Sequence, residues 1–148
     1  MRKLLIFPML LLSGCMGTFQ TTQTVDPSIR TVTISAKHAD AMRAALDYCN
    51  EKGFAVLSAD KELGIINTDF KENNGLSKIL LGNYRSKINF SFRQVSETMT
   101  RITLLISIEQ QGAFGGWTQA VLGEDNVTEA YITVFKGIER YLPPKQGI

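Results

Sequence analysis

Apolar and polar residues alternate along Lys87–Val95 and again along Arg101–Glu109. In the first segment Ile88, Phe90 and Phe92 interleave with Asn89, Ser91 and Arg93; in the second Ile102, Leu104, Ile106 and Ile108 interleave with residues such as Thr103 and Ser107. A period of two places the apolar side chains on one face, so both segments are predicted as half-buried antiparallel strands. Ser96-Glu97-Thr98-Met99 supplies the turn between them, and the pair is expected in the middle of a sheet. Thr31-Val32-Thr33-Ile34 is β-branched and alternating, which predicts a further strand. Phe54–Ala59 and Ile65–Phe70 read as a hairpin around Asp60-Lys61-Glu62-Leu63-Gly64, with Gly64 suited to a positive φ.

Two stretches change to helical spacing. Between Ala36 and Lys52, Ala39, Met42, Leu46 and Cys49 recur every three or four residues, while Lys37, Asp40, Arg43, Asp47 and Glu51 turn mostly elsewhere. This predicts an amphipathic helix with Ser35 as its N-cap and Gly53 at its C-terminal end. From about Glu124 to Leu142 a stripe of Val127, Tyr131, Val134, Phe135, Ile138, Tyr141 and Leu142 predicts the second helix, stopped by Pro143-Pro144. The order is β-α-β-β-β-β-α. One antiparallel sheet with a single apolar face and two amphipathic helices satisfy one another as a two-layer α+β sandwich.

The run of strand, helix, Gly53-Phe54 and then Gly64-Ile65-Ile66-Asn67-Thr68-Asp69-Phe70 resembles the small α/β domains of envelope lipoproteins such as the C component of the outer-membrane β-barrel assembly machinery. The likeness covers residues 31–110 and implies the same kind of layered fold. That component carries two such domains in tandem, whereas this chain has room for one.

The first residues read as an address. Met1-Arg2-Lys3 is a cationic head and Leu4–Leu12 an apolar run that, as a helix, reaches only about 14 Å, short of the roughly 30 Å hydrocarbon core. Leu12-Ser13-Gly14-Cys15 resembles the lipobox of bacterial lipoproteins, in which the bond before the Cys is cleaved and the Cys is acylated. On that resemblance residues 1–14 are a signal peptide and Cys15 is the lipidation site. Several acyl chains, at about 0.8 kcal/mol per buried methylene, give stable anchoring. Met16 stands where an Asp commonly retains such products at the inner membrane, so the expected location is the periplasmic face of the outer membrane. Residues 15–29 then form the acylated Cys and a flexible tether, 30–142 a single domain, and 143–148 a C-terminal tail. Fully extended at roughly 3.5 Å per residue, the tether spans about 50 Å.

Composition fits one ordinary globular domain: 148 residues, 44% hydrophobic and 20% charged, with 12 Gly, 4 Pro and 2 Cys. Loss of Arg2 and Lys3 with the signal leaves 14 basic residues of the original 16 against 14 acidic ones. A mature net charge of zero removes the electrostatic basis for a nucleic-acid partner.

Candidate chemistry is sparse. His38 is the only histidine, which excludes a His-rich metal site and is expected as a solvated helix residue. Cys49 lies on the apolar stripe and is expected buried and inert. Asp60, Glu62 and Asp69 gather around one hairpin, where a charged turn explains them. Asn126-Val127-Thr128 matches a glycosylation acceptor in pattern alone.

Two loops carry more. Lys71–Tyr84 holds Leu76, Ile79, Leu80 and Leu81 and is expected to cover the core as a helical turn or an edge extension. Gly112-Ala113-Phe114-Gly115-Gly116-Trp117 places aromatics among glycines, a combination suited to recognition. Phe114 and Trp117 are therefore the candidate interaction residues; the pattern leaves open whether they pack on the domain's own core, meet a protein partner, or meet lipid or a small ligand.

With no convergent catalytic set, cofactor motif or metal cluster, the expected function is a non-enzymatic, lipid-anchored protein-interaction module of the bacterial envelope. Its membrane contact runs through Cys15 and its partner is another envelope protein. The alternative is a carrier of a small apolar ligand or lipid in a sheet–helix cavity lined by Phe90, Phe92, Tyr131 and Phe135.

Overall fold

The computed structural model describes residues 25–72 and 83–144. The expected signal peptide, Cys15, most of the expected tether, the apolar part of the 71–84 loop and the last four residues of the expected tail fall outside the described residues.

The elements run β1 (Thr31–Ile34), α1 (His38–Lys52), β2 (Val56–Asp60), β3 (Ile65–Thr68), β4 (Lys71–Glu72), β5 (Tyr84–Ser96), β6 (Met99–Gln111), β7 (Trp117–Gln119) and α2 (Glu124–Glu139). All strand pairings are antiparallel, in the order β1-β6-β5-β3-β2. The architecture is the expected α+β sandwich, with β5 and β6 at its centre. Two short strands extend the expected order: β4 pairs with β5, and β7 pairs with β6. Both owe their strand character to the long central hairpin beside them; at two and three residues they are too short to show periodicity.

Alternation dictates the layers. Ile88, Phe90, Phe92, Ile102, Leu104 and Ile108 are buried on the helix side, while Ser91, Arg93, Arg101, Thr103 and Leu105 are exposed on the other. Each buried Ile, Leu or Phe contributes roughly 1.5–3 kcal/mol by leaving water. Phe90, Phe92 and Tyr131 belong to this packed core and Phe135 packs partly buried against it.

The helices differ from expectation at their ends. Lys37, with extended backbone, occupies the N-cap of α1 without a side-chain bond, and the expected cap Ser35 lies two residues earlier. The buried stripe of α1 is Ala41, Met42, Ala44, Ala45, Tyr48 and Cys49, and Ala39 is exposed. Four-residue spacing of small residues (Ala41, Ala45) carries the face, because α1 packs against both the sheet and α2. The helix closes as expected at Gly53: Phe54 N–H reaches the Cys49 carbonyl at 2.8 Å and Gly53 N–H the Asn50 carbonyl at 3.0 Å. α2 ends at Glu139; Tyr141 and Leu142 leave the helix yet still pack partly against the core.

Val25 and Ile29 also pack against the core, and Asp26–Arg30 forms a turn in which Ser28 N–H donates to Asp26 Oδ1 at 2.8 Å. The folded unit therefore takes in residues 25–29, which composition assigns to the tether.

Gly64 ends the β2–β3 turn at φ +66, and a Cβ there would lie 2.4 Å from the Phe92 carbonyl oxygen and 2.9 Å from His38 Nε2. The bare backbone lets Phe92 N–H donate to the Gly64 carbonyl at 2.7 Å. His38 is half-buried above this contact, edge-on to Phe92 with ring centroids 6.3 Å apart, and so is less solvated than its position in the first helical turn suggests.

Candidate interaction surface

The sheet face opposite the helices carries the side chains that chemistry can use. Register places Arg85 directly across from Glu109, and Gln111 across from Trp117 at the start of β7. Opposed residues in an antiparallel pair share a face, so Arg85, Glu109 and Trp117 converge there. Arg85 Nε donates to Glu109 Oε2 at 2.6 Å, and its Nη2 lies 2.6 Å from the same oxygen. The Arg85 guanidinium carbon stands 4.5 Å from the ring centroid of Phe70 and 4.5 Å from that of Trp117. Lys87 Nζ adds a second cation 4.8 Å from the Phe70 centroid. The result is an aromatic–cation–aromatic stack fixed to the sheet by an ion pair, with each cation–π contact worth about 0.5–1 kcal/mol at a partly exposed site.

This geometry separates the two candidate aromatics. Trp117 is half-buried against Arg85 on the open face of the sheet and is not part of the helix-side core. Phe114 is fully exposed. The loop that carries it is a closed β6–β7 turn: Gly112 N–H donates to the Gly116 carbonyl at 2.7 Å and Gly115 N–H to the Gly112 carbonyl at 3.0 Å. Phe114 therefore stands out on a tip whose base is hydrogen-bonded and whose flank is pinned by Trp117. Neither residue packs on the core as one of the expected roles required.

Further along the same face, Arg93 and Arg101 are directly opposed and both exposed. Like charges placed across a strand pair repel, and the free domain carries that repulsion unrelieved by any ion pair among the described residues.

The remaining candidates take structural roles. Asp60 Oδ1 accepts from Glu62 N–H at 2.9 Å and Leu63 N–H at 2.8 Å, which organises the hairpin turn. Asp69 Oδ1 accepts from Phe70 N–H at 2.7 Å. Cys49 is fully buried, and burial pushes its thiol up to about 12. Among the described residues no group of three His, Cys, Asp or Glu side chains is placed to hold a metal ion. Among them, too, no helix is long and apolar enough to cross a membrane.

Arg85, Phe70 and Glu109 have no prominence in the amino-acid order. The available signal is that Arg85 lies in phase with Lys87 and Asn89, which predicts an outward side chain once the strand is extended to Tyr84. Pairing with Glu109 and Trp117 depends on register, which periodicity leaves undetermined.

No protein-family model matches this chain, and no curated protein matches it. Among solved structures, the adenylate sensor of AMP-activated protein kinase in complex with ZMP is similar at a TM-score of 0.49 and 9% identity, covering 73% of this chain and 94% of that one. A DUF4468 family protein from Bacteroides ovatus is similar at a TM-score of 0.45 and 10% identity, covering 80% of this chain and 88% of that one.

Proposed function

We propose that this chain is a bacterial lipoprotein, anchored through acylated Cys15 at the periplasmic face of the outer membrane, whose domain is a non-enzymatic interaction module for another envelope protein. The observation that carries the interaction reading is Phe114: a large aromatic held fully exposed at the tip of a hydrogen-bonded turn. Exposed aromatics on preformed loops supply contact area at low entropic cost. The stacked Trp117 beside it and the opposed Arg93 and Arg101 extend the surface; a partner that brings carboxylates relieves their repulsion. The lipobox resemblance supports the anchor.

A photo-crosslinking residue in place of Phe114, in cells at native expression, tests the reading. The expected result is a discrete adduct with one envelope protein that weakens when Cys15→Ala releases the anchor. Absence of any adduct, together with mass spectrometry showing an unacylated Cys15, would overturn it.

A further inference from the structure

At the end of the sheet that carries the β5–β6 turn, exposed apolar side chains gather around two arginines. Arg93 and Arg101 are opposed across β5 and β6 on the open face, and Thr33 of β1 faces Arg101 from the other side. Met99 precedes Arg101 by two residues on the same strand, so it shares that face, and it is 39% exposed. Leu63, 70% exposed, stands in the β2–β3 turn next to Gly64, whose carbonyl accepts from Phe92 N–H, so that turn abuts β5 beside Arg93. Val95, 49% exposed, is the extra residue between the pairs Gln94↔Thr100 and Ser96↔Met99.

The domain leaves this chemistry unused. Among the described residues neither arginine forms an ion pair, although Glu62 and Glu97 ride exposed on the two turns. The Asp60 carboxylate is turned to the Glu62 and Leu63 amides. Opposed like charges repel, and a carboxylate set between them converts that repulsion into two charge-assisted attractions. Arg and Met are enriched at protein interfaces, whereas Lys, Glu and Asp are depleted there. Charge therefore selects the occupant: it brings a negative group to the centre of the patch and apolar groups to its margin. A bilayer with anionic headgroups fits less well, because Glu97 stands exposed in the turn that such a surface would meet first.

We propose that this end of the open face docks an acidic, apolar segment of the protein partner, with one carboxylate bridging Arg93 and Arg101 and apolar side chains covering Met99 and Leu63. The inference rests on the reading of the domain as an interaction module. It names the partner's chemistry at a place about 40 Å along β6 from the Phe114 turn.

The probes are three capped peptides: Leu-Glu-Leu-Glu-Leu and its counterparts with Gln or Lys in place of Glu. Each is titrated into the full chain held in nanodiscs of zwitterionic lipid and followed by nitrogen–proton spectra. The Glu peptide is expected to give saturable shifts at Arg93 and Arg101 Nε–H and at the Met99 amide, with affinity roughly tenfold above the Gln peptide and falling with salt. The Lys peptide is expected to leave these signals unmoved. Arg101→Gln should abolish the preference for Glu over Gln, Arg101→Lys should retain part of it, and Phe114→Ala should leave it unchanged. Equal affinity for the Glu and Gln peptides, shifts centred on other residues, or shifts at the arginines produced by phosphatidylglycerol vesicles and not by the Glu peptide overturn the proposal. A discrete partner adduct at Phe114 alongside any of those results overturns this inference alone; no adduct at Phe114 with the Glu preference intact counts against the Phe114 contact and leaves the arginine site standing. Should Arg101→Gln not fold, the wild-type comparison of the three peptides and the position of the shifts decide the matter.

Discussion

The ring of Tyr48 occupies the space that a side chain at Gly137 would need: a Cβ built there would lie 2.2 Å from Tyr48 Cε2. Tyr48 is buried on α1 and Gly137 is buried on α2, so the two helices meet through an aromatic ring laid on bare backbone. Ala forms helix better than Gly by about 1 kcal/mol, yet here overpacking should dominate. Gly137→Ala is expected to lower stability by about 1–3 kcal/mol in urea melts. Tyr48→Leu combined with Gly137→Ala should recover part of that loss, a coupling between contacting sites. A higher midpoint for Gly137→Ala alone would contradict the packing described.

Thr68 closes β3 with its side chain where the ladder stops. Its Oγ1 donates to the Ile88 carbonyl at 2.8 Å and accepts from Ile88 N–H at 3.0 Å, all buried. Thr68→Val keeps the shape and leaves both backbone groups unpaired, which should cost about 1–3 kcal/mol. Thr68→Ser keeps the hydroxyl and should cost less. Equal denaturation midpoints for the two variants would show that the hydroxyl contributes nothing.

Arg85 shields Trp117, the sole tryptophan, so intrinsic fluorescence reports on the stack directly. Arg85→Met retains an aliphatic stem but loses the Glu109 ion pair and both cation–π contacts. Its expected effects are a red-shifted emission, greater quenching by iodide, and a stability loss of about 1 kcal/mol. Unchanged emission and quenching would mean that the guanidinium does not cover the ring in solution.

Alkaline pH should loosen the core. Burial raises the Cys49 thiol from its ordinary 9.0 to about 12. Burial, then the neighbouring Cys49 and Glu51 charges, raises the Tyr48 hydroxyl from 10.0 to about 12. Above the unfolded values the unfolded chain has lost protons that the folded chain retains, so stability falls as pH rises. The contribution of both groups is fully present below about pH 9 and declines through the window up to about 12. Cys49→Ala should flatten the pH dependence between 9 and 10 even though it lowers stability overall. Rapid labelling of Cys49 by a thiol reagent at pH 8 under native conditions would contradict its burial.

The central hairpin, the two helices and the layer arrangement were legible because each rests on a periodicity that one segment carries by itself. Ile88, Phe90 and Phe92 face inward for a reason visible within Lys87–Val95. The helix start was less legible: Ser35 is the better capping residue, but the backbone that leaves β1 enters α1 two residues later, at Lys37. Ala39 stands at helical spacing from Met42 and Leu46 yet faces solvent, because the buried stripe is set by Ala41, Ala44 and Ala45, which admit α2 and the sheet.

At the candidate surface, Phe114 and Trp117 stood out through their glycine setting, and their separate fates did not. Exposure of one and stacking of the other follow from the β6–β7 register, a relation between distant residues.

Strands β5 and β6 are thirteen residues each and face one another from Ser96↔Met99 out to Tyr84↔Gln110. Glu97 and Thr98 alone separate their innermost pair. Loop closure over so few residues is entropically cheap, so this plank can zip outward before the separate β1 and the terminal α2 must find it. Assembly then has a local start and a templated finish: φ-values should be high at Ile102 and Leu104 and low at Val134, and the reverse ranking would place the nucleus in the helices.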